Sequence, residues 1–333
     1  MHALRRPAFP LRCFTLGVIV SSMLRRRILV AGLLCGASPT AVAQPASLTL
    51  GTTPDGGGFS PYAVALIETL KSIDRGLDLR TVDTRGSTDN VVRLRAGSID
   101  LGLVSGEVFD ESETRAPGRL KIVSVMYYTP GMFAVLGNSP HRTISDLVGQ
   151  PIVWQPRGTG SAVQARYVMH GLGLDVDRDF AEIYPANFTD GPEYIFDGSA
   201  AALWASGLRL PSFVRIAEHP FGVRFIPPNA EEIARIRAAH PFLVPLTVPR
   251  GTYPGQTEPI STIGSASFIV ARPDLDVALV HRFATALHKT ERFEGRPTYL
   301  VQTTAANTLV SVESHDELHP GTLQYFREAG ILP

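Results

Sequence analysis

The stretch "LTLGTTPDGGGFSPYAVALIETL", residues 48–70, most narrows what this chain can become. An apolar-alternating run leads through three consecutive glycines, Gly56, Gly57 and Gly58, into a helical pattern. The period of two predicts a strand over "SLTLGT", whereas Ala63, Leu66, Ile67 and Leu70 share one face of a helix. Ser60 is the expected N-cap, with Pro61 at the first helical position. A strand, a glycine turn and a helix start bring unpaired N–H groups and the positive helix end to one point, a seat for an anion. Gly56, Gly57 and Gly58 carry no side chain to block close approach, and Ser60 adds a hydroxyl. The standard phosphate loop is excluded, because no lysine lies between residue 44 and Lys71 and GxGxxG spacing is absent. A plain strand-to-helix turn remains the competing reading of this stretch alone.

The same plan continues along the chain. "DLRTVDT", "IDLGLVSG" and "LKIVSVMYY" read as strands, and "STDNVVRLRAG" as a short helix closed by Gly97. Such βαβαβ alternation predicts an open α/β sheet of largely parallel strands. Ser87 is placed to cap the second helix, and Asn90 falls within its first turn. Further on, the strand "PIVW" runs through Gly158, Thr159 and Gly160 into a helix opening near Ser161, a second seat of the same kind. Arg157 beside it can pair with a carboxylate, or it is simply an exposed loop arginine. Residues 226–262 read as loops. "VALVHRFATALHK" reads as an amphipathic helix, and "HPGTLQYFREAGILP" as a turn with a terminal helix.

The first 43 residues differ from the rest. They hold six arginines and no acidic residue, and from Met23 a basic start passes into an apolar run ending in small residues at Ala41 and Ala43. This predicts a cleavable signal peptide cut after Ala43, with translation beginning at Met1 or Met23. Cys35 admits a lipoprotein reading, opposed by the bulky Leu34 before it. Without the leader, 25 of the 31 basic residues remain against 31 acidic ones, and both cysteines, Cys13 and Cys35, are gone. The exported chain then carries no disulfide and relies on an ordinary core. A mildly acidic chain without basic runs argues against nucleic acid as a partner.

Catalytic and metal patterns are missing. There is no HExxH, no GxSxG and no closely spaced Cys or His cluster, so no catalytic residue, metal or cofactor is expected. Asp110, Glu111 and Glu113 read as a solvated acidic turn.

Four stretches resemble the TAXI-type solute-binding proteins of TRAP transporters, over about residues 47–333. "GTTPDGGGFSP" is similar to that family's opening loop, and "STDNVVRLRAGSIDLGLV" matches its next segment at Ser87, Asn90, Leu94, Gly97 and Asp100. "PRGTGSAVQAR" resembles its second-lobe loop. "GTYPGQ" and "HPGTLQYFREAGI" resemble its most specific signatures. The resemblance implies a two-lobed periplasmic-binding-protein-like α/β fold of type II, each lobe an open sheet flanked by helices, joined by a hinge of crossing strands. Lobe one would comprise residues 44–138 plus 265–333, and lobe two residues 139–264. It also implies capture of a small organic anion, of the dicarboxylate or acidic amino acid class, and delivery to TRAP membrane permease subunits. The implied site comprises Gly56, Gly57, Gly58, Phe59, Ser60, Ser87, Asn90, Ser105, Gln155, Arg157, Thr159, Gly160, Ser161, Trp204 and Tyr253.

Departures from the family pattern bear on the ligand. Phe59 and Ser60 stand where two tyrosines are usual, Ser105 where a glutamine is usual, and Glu107 where an aspartate is usual. Gln155 replaces a glycine, Ala201 an aspartate, and Trp204 is unusual. Two other classes fit the same residues less well: a periplasmic sensor coupled to a membrane signalling partner, and an enzyme on this scaffold.

Overall fold

Strands that are apolar on both faces alternate with helices apolar on one, and each helix returns the chain to the start of the next strand. The computed structural model describes residues 46–333; the expected leader, with Met23, Cys35 and the cut after Ala43, lies outside the described residues. The chain runs β1 (Ala46–Gly51), α1 (Phe59–Ile73), β2 (Leu77–Val82), α2 (Ser87–Arg95), β3 (Leu101–Ser105), α3 (Gly106–Arg115) and β4 (Lys121–Leu136). It continues through β5 (Pro151–Val153), α4 (Gly160–Gly171), β6 (Ala181–Ile183), α5 (Gly191–Phe196), β7 (Ala202–Ser206), α6 (Pro211–Ala217) and β8 (Val223–Ile226). The last elements are α7 (Ala230–Ala239), β9 (Val244–Val248), β10 (Ile260–Ala271), α8 (Val277–Lys289), α9 (Ala305–Val310) and α10 (Pro320–Glu328).

These strands form one sheet in the order β2-β1-β3-β10-β4-β7-β5-β6, with β8 added to β4 and β9 to β10. Two parallel sets, β2-β1-β3 and β7-β5-β6, lie on either side of an antiparallel pair. That pair is β4 and β10, and each strand sends side chains into both cores, Val123 and Ile269 into one and Phe133 and Ile263 into the other. β10 pairs with β3 through residues 267–271 and with β9 through 260–264. β4 pairs with β7 and β8 through residues 131–136. The expected parallel sheet is thus two parallel sheets bridged by two long antiparallel strands.

Burial explains the packing. Leu50, Leu66, Leu103 and Phe283 share one core, filled from α1, α8 and the β2-β1-β3 set. Around the other set, the edges of Trp154 and Trp204 meet Phe133 at ring-centre distances of 5.5 and 5.0 Å. Such edge-to-face pairs add about 0.5–1.5 kcal/mol beyond area burial.

Several local expectations are corrected. α1 begins at Phe59 and not after Ser60, because Phe59 is drawn into the core; Gly58 is the N-cap, and the Ser60 hydroxyl donates to Asp55 Oδ1 at 3.3 Å. Ser87 does not cap α2 either. Gly86 occupies that position at φ 105°, a conformation that favours glycine, and Ser87 Oγ accepts the N–H of Ser105 at 3.1 Å. The stretch containing Asp110, Glu111 and Glu113 is helix α3, and Glu113 accepts N–H groups of the turn beyond it, Gly118 and Leu120. "LKIVSVMYY" extends across Pro130 into "GMFAVL" as the single strand β4. Residues 226–262 hold α7 and β9. The capping box was legible there: Asn229 Oδ1 accepts the N–H of Glu232, whose carboxylate accepts the N–H of Asn229.

Candidate functional site

The carboxyl ends of β1, β3, β5 and β7 all open into one cleft of about 330 Å³ between the two strand sets, where open α/β sheets place ligands. Thr53, Gly56, Gly58, Phe59, Ser87 and Ser105 line it from one set. Gln155, Thr159, Gly160, Ser161, Phe188 and the loop around Leu210 line it from the other, and Tyr127, Thr129 and Ser267 rise from the shared strands.

Its walls differ in character. At one end the helix starts of α2, α3 and α4 converge. A side chain at Gly160 would collide with Ser105 Oγ and crowd Ser87 Oγ, so only glycine lets these helix ends approach. A side-chain carbon at Gly86 would lie 3.4 Å from Thr53 and 3.7 Å from Thr159. At the other end, a side-chain carbon on Gly58 would lie 3.2 Å from the Tyr127 hydroxyl and 3.8 Å from Leu210. Phe188 covers Gly56 and Gly57 there. The cleft therefore has a hydroxyl-rich wall backed by helix N-termini and an aromatic and aliphatic wall.

Four residues that line this space each hold a buried polar atom without a hydrogen-bond partner among the described residues: Thr53 Oγ1, Ser105 Oγ, Gln155 Oε1 and Ser267 Oγ. Their residues are 6, 4, 2 and 0 % exposed, and a buried polar atom left unpaired costs about 1–3 kcal/mol. Among the described residues no aspartate or glutamate lines the cleft, whereas Arg209 and Arg250 do, both exposed. The helix ends add partial positive charge to the hydroxyl-rich wall. Among the described residues no group of three or more His, Cys, Asp or Glu is placed to hold a metal.

Gln155 has φ 69°, a left-handed backbone uncommon for a residue with a side chain. Such strain persists where a site requires it. Replacing Gln155 with glycine is expected to raise stability by about 0.5–1 kcal/mol in thermal unfolding while weakening ligand binding, because it relieves the backbone and removes the amide.

Of the residues singled out in the sequence, Gly56, Gly58, Phe59, Ser87, Ser105, Gln155, Thr159, Gly160 and Ser161 are brought together on the cleft. Six are placed elsewhere. Gly57 packs under Phe188 and against Thr53, and Ser60 turns to Asp55. Asn90 is fully buried, with its amide nitrogen donating to the carbonyls of Gly51, Thr52 and Leu103. Arg157 is exposed, 2.9 Å from Glu182 and stacked over the Tyr184 ring. Trp204 is buried behind the cleft and donates to Ser161 O at 3.1 Å. Tyr253 packs on Phe213 and Phe225, and burial pushes its hydroxyl pKa up. Arg157→Ala is accordingly expected to change ligand affinity less than about two-fold in calorimetry, since an exposed ion pair contributes only about 0–1 kcal/mol.

Thr53, Tyr127, Phe188, Leu210 and Ser267 were not singled out. One signal was available for Ser267: with Ser265 it marks a period-two polar pair inside an apolar strand, "SASFIVA". Phe188 and Leu210 lie in loops whose position depends on the whole fold.

Parallel strand sets bridged by two shared strands around a central cleft define a periplasmic-binding-protein-like α/β fold. The structure is similar to that of PhnD1 from Prochlorococcus marinus MIT 9301 in complex with methylphosphonate, with a TM-score of 0.53 at 10 % identity over 86 % of this chain and 100 % of that one. A protein of Bordetella bronchiseptica RB50 matches with a TM-score of 0.50 at 14 % identity over 86 % of this chain and 83 % of that one. The periplasmic aliphatic sulphonate binding protein SsuA from Escherichia coli matches with a TM-score of 0.47 at 18 % identity, over 87 % and 94 %. By sequence, residues 50–330 match the model of the NMT1-like family, and the chain belongs to that family.

Proposed function

We propose that this protein is an extracytoplasmic solute-binding subunit of a TRAP transporter of the TAXI type. It captures a small organic anion by hinge closure and hands it to a membrane permease. One observation carries the reading: a cleft between two strand sets, lined by helix starts and by residues whose buried polar atoms have no partner among the described residues, with no acidic side chain among those described. The lobes are residues 44–138 plus 265–333 and residues 139–264, and β4 with β10 is the hinge. Rotation about two continuous strands moves whole lobes without breaking either core. A micromolar complex needs about −8 kcal/mol. Helix ends supply only about 0.3–1 kcal/mol each when exposed, so hydrogen bonds to the unpartnered atoms and closure over the ligand provide the rest. No helix among the described residues is long and apolar enough to cross a membrane, and delivery to a permease requires none.

The test is a thermal-shift screen of the purified chain against organic acids, amino acids, neutral solutes and cations. A ligand at about 100 times its Kd adds about 2.7 kcal/mol, or about 5–10 °C for a chain of this size. An anion that gives such a shift supports the reading. A shift produced only by neutral or cationic solutes overturns it.

A further inference from the structure

We infer that the ligand is an amphipathic monoanion, one acidic head on an apolar body of aromatic size, and not a dicarboxylate or an α-amino acid. This rests on reading the cleft as an anion site and concerns which anion it takes. The head goes to the wall where the hydroxyls of Thr53 and Ser105 have no protein partner among the described residues, beside the starts of α2 and α4. The hydroxyls of Thr53 and Ser105 are uncharged donors that one oxyanion beside the positive helix ends satisfies, whereas the Gln155 amide oxygen only accepts and is not served by it.

The opposite wall decides the rest. Around Gly56–Gly58 it is built from Phe59, Phe188, Tyr127 and Leu210, with Val301 further along the lining. A second carboxylate seated there loses its water for at most the one uncharged hydroxyl of Tyr127, which is unfavourable. An α-ammonium group is equally unmatched, since no lining side chain is acidic. Glu107, behind Ser105, is fully buried and presents no surface to the cleft. Among the described residues Arg209 and Arg250 are the only lining cations, and both are exposed, where water already serves them. An apolar body fits this wall, and the single charge stays with the head.

The test is calorimetry of the purified chain with phenylacetate, 3-phenylpropionate and 4-phenylbutyrate, beside succinate, glutarate and glutamate. Each added methylene that reaches the apolar wall should tighten binding about 3- to 4-fold, the equivalent of about 0.8 kcal/mol. The diacids and glutamate should bind at least ten-fold more weakly than 4-phenylbutyrate. Phe188→Ser lies on a half-buried loop and leaves both cores intact. It should flatten the chain-length gain, weakening 4-phenylbutyrate more than phenylacetate. Tighter binding of diacids or glutamate than of the phenylalkanoates overturns the inference and leaves the anion site standing. A flat chain-length series, or no effect of Phe188→Ser, overturns it likewise. Failure of all anions while a neutral solute binds overturns the anion site itself.

Discussion

Asn90→Ala is expected to lower the melting temperature by about 10 °C and leave ligand affinity, measured well below the transition, within about two-fold. The Asn90 side chain is completely buried where β1, β3 and the loop before α2 meet. Its amide nitrogen lies 3.2, 3.1 and 2.7 Å from the carbonyls of Gly51, Thr52 and Leu103. Its oxygen accepts the Thr84 hydroxyl at 2.7 Å. Alanine leaves these carbonyls facing a small cavity. Each stranded buried group costs about 1–3 kcal/mol, so about 3–5 kcal/mol in total is a reasonable scale, or about 10 °C. Leucine would not rescue the position, because it fills the space without serving the carbonyls. Chemical denaturation together with calorimetry separates the outcomes. Normal stability with affinity reduced more than ten-fold would return Asn90 to the ligand and remove it from the framework.

Asn90 also shows where sequence reading succeeds and where it stops. Its spacing from Ser87, Leu94 and Gly97 located a helix beside the cleft, since periodicity is a local property written into the chain. Whether a polar side chain on that helix turns to the ligand or to the backbone depends on β1 and β3, which the helix covers. Trp204 and Tyr253 follow the same logic: each adjoins the cleft in sequence or in space, but faces the core. Gly56, Gly58, Ser105, Thr159 and Gly160 were legible because strand–turn–helix geometry fixes where a turn's backbone points. Phe188, Leu210 and Ser267 come from three separate segments, and only the closed tertiary arrangement brings them to one wall. The joining of "LKIVSVMYY" and "GMFAVL" into one strand was hidden by Pro130, which reads as punctuation. In the fold its carbonyl accepts the N–H of Gly207 and the strand passes through.

Glu107→Gln is expected to stabilise the protein at neutral and alkaline pH and to make no difference in acid. Glu107 begins α3 with no solvent exposure, at the junction where both shared strands meet α4. Its Oε1 accepts Ser265 Oγ of β10 and Gln164 Nε2 of α4, each at 2.7 Å, and the same Gln164 nitrogen reaches Thr129 O of β4. Oε2 has no partner. Burial raises the carboxyl pKa above its usual 4.5, and the hydrogen bonds from Ser265, its own backbone N–H and Gln164 only partly oppose this. Tyr167, raised chiefly by its own burial, is the titratable neighbour that feels Glu107. In the unfolded chain the carboxyl ionises near 4.5, whereas the folded chain holds the proton to higher pH. More protons are then bound folded than unfolded, so stability is fully present below the unfolded value and is lost as pH rises through the folded one. Glutamine reproduces the protonated form: its oxygen accepts the same two donors, and no charge need be buried. The difference in melting temperature between Glu107→Gln and wild type should be near zero at pH 4, grow as pH rises above the unfolded value of 4.5 and level off beyond the raised folded one, by about 2–4 °C per kcal/mol of relieved desolvation. A constant difference across that range, or a variant less stable at pH 8, would mean that Glu107 is ionised in the folded protein. The contacts between α3, α4 and the two shared strands would then gather around a buried charge, and removing that charge would loosen the junction instead of tightening it.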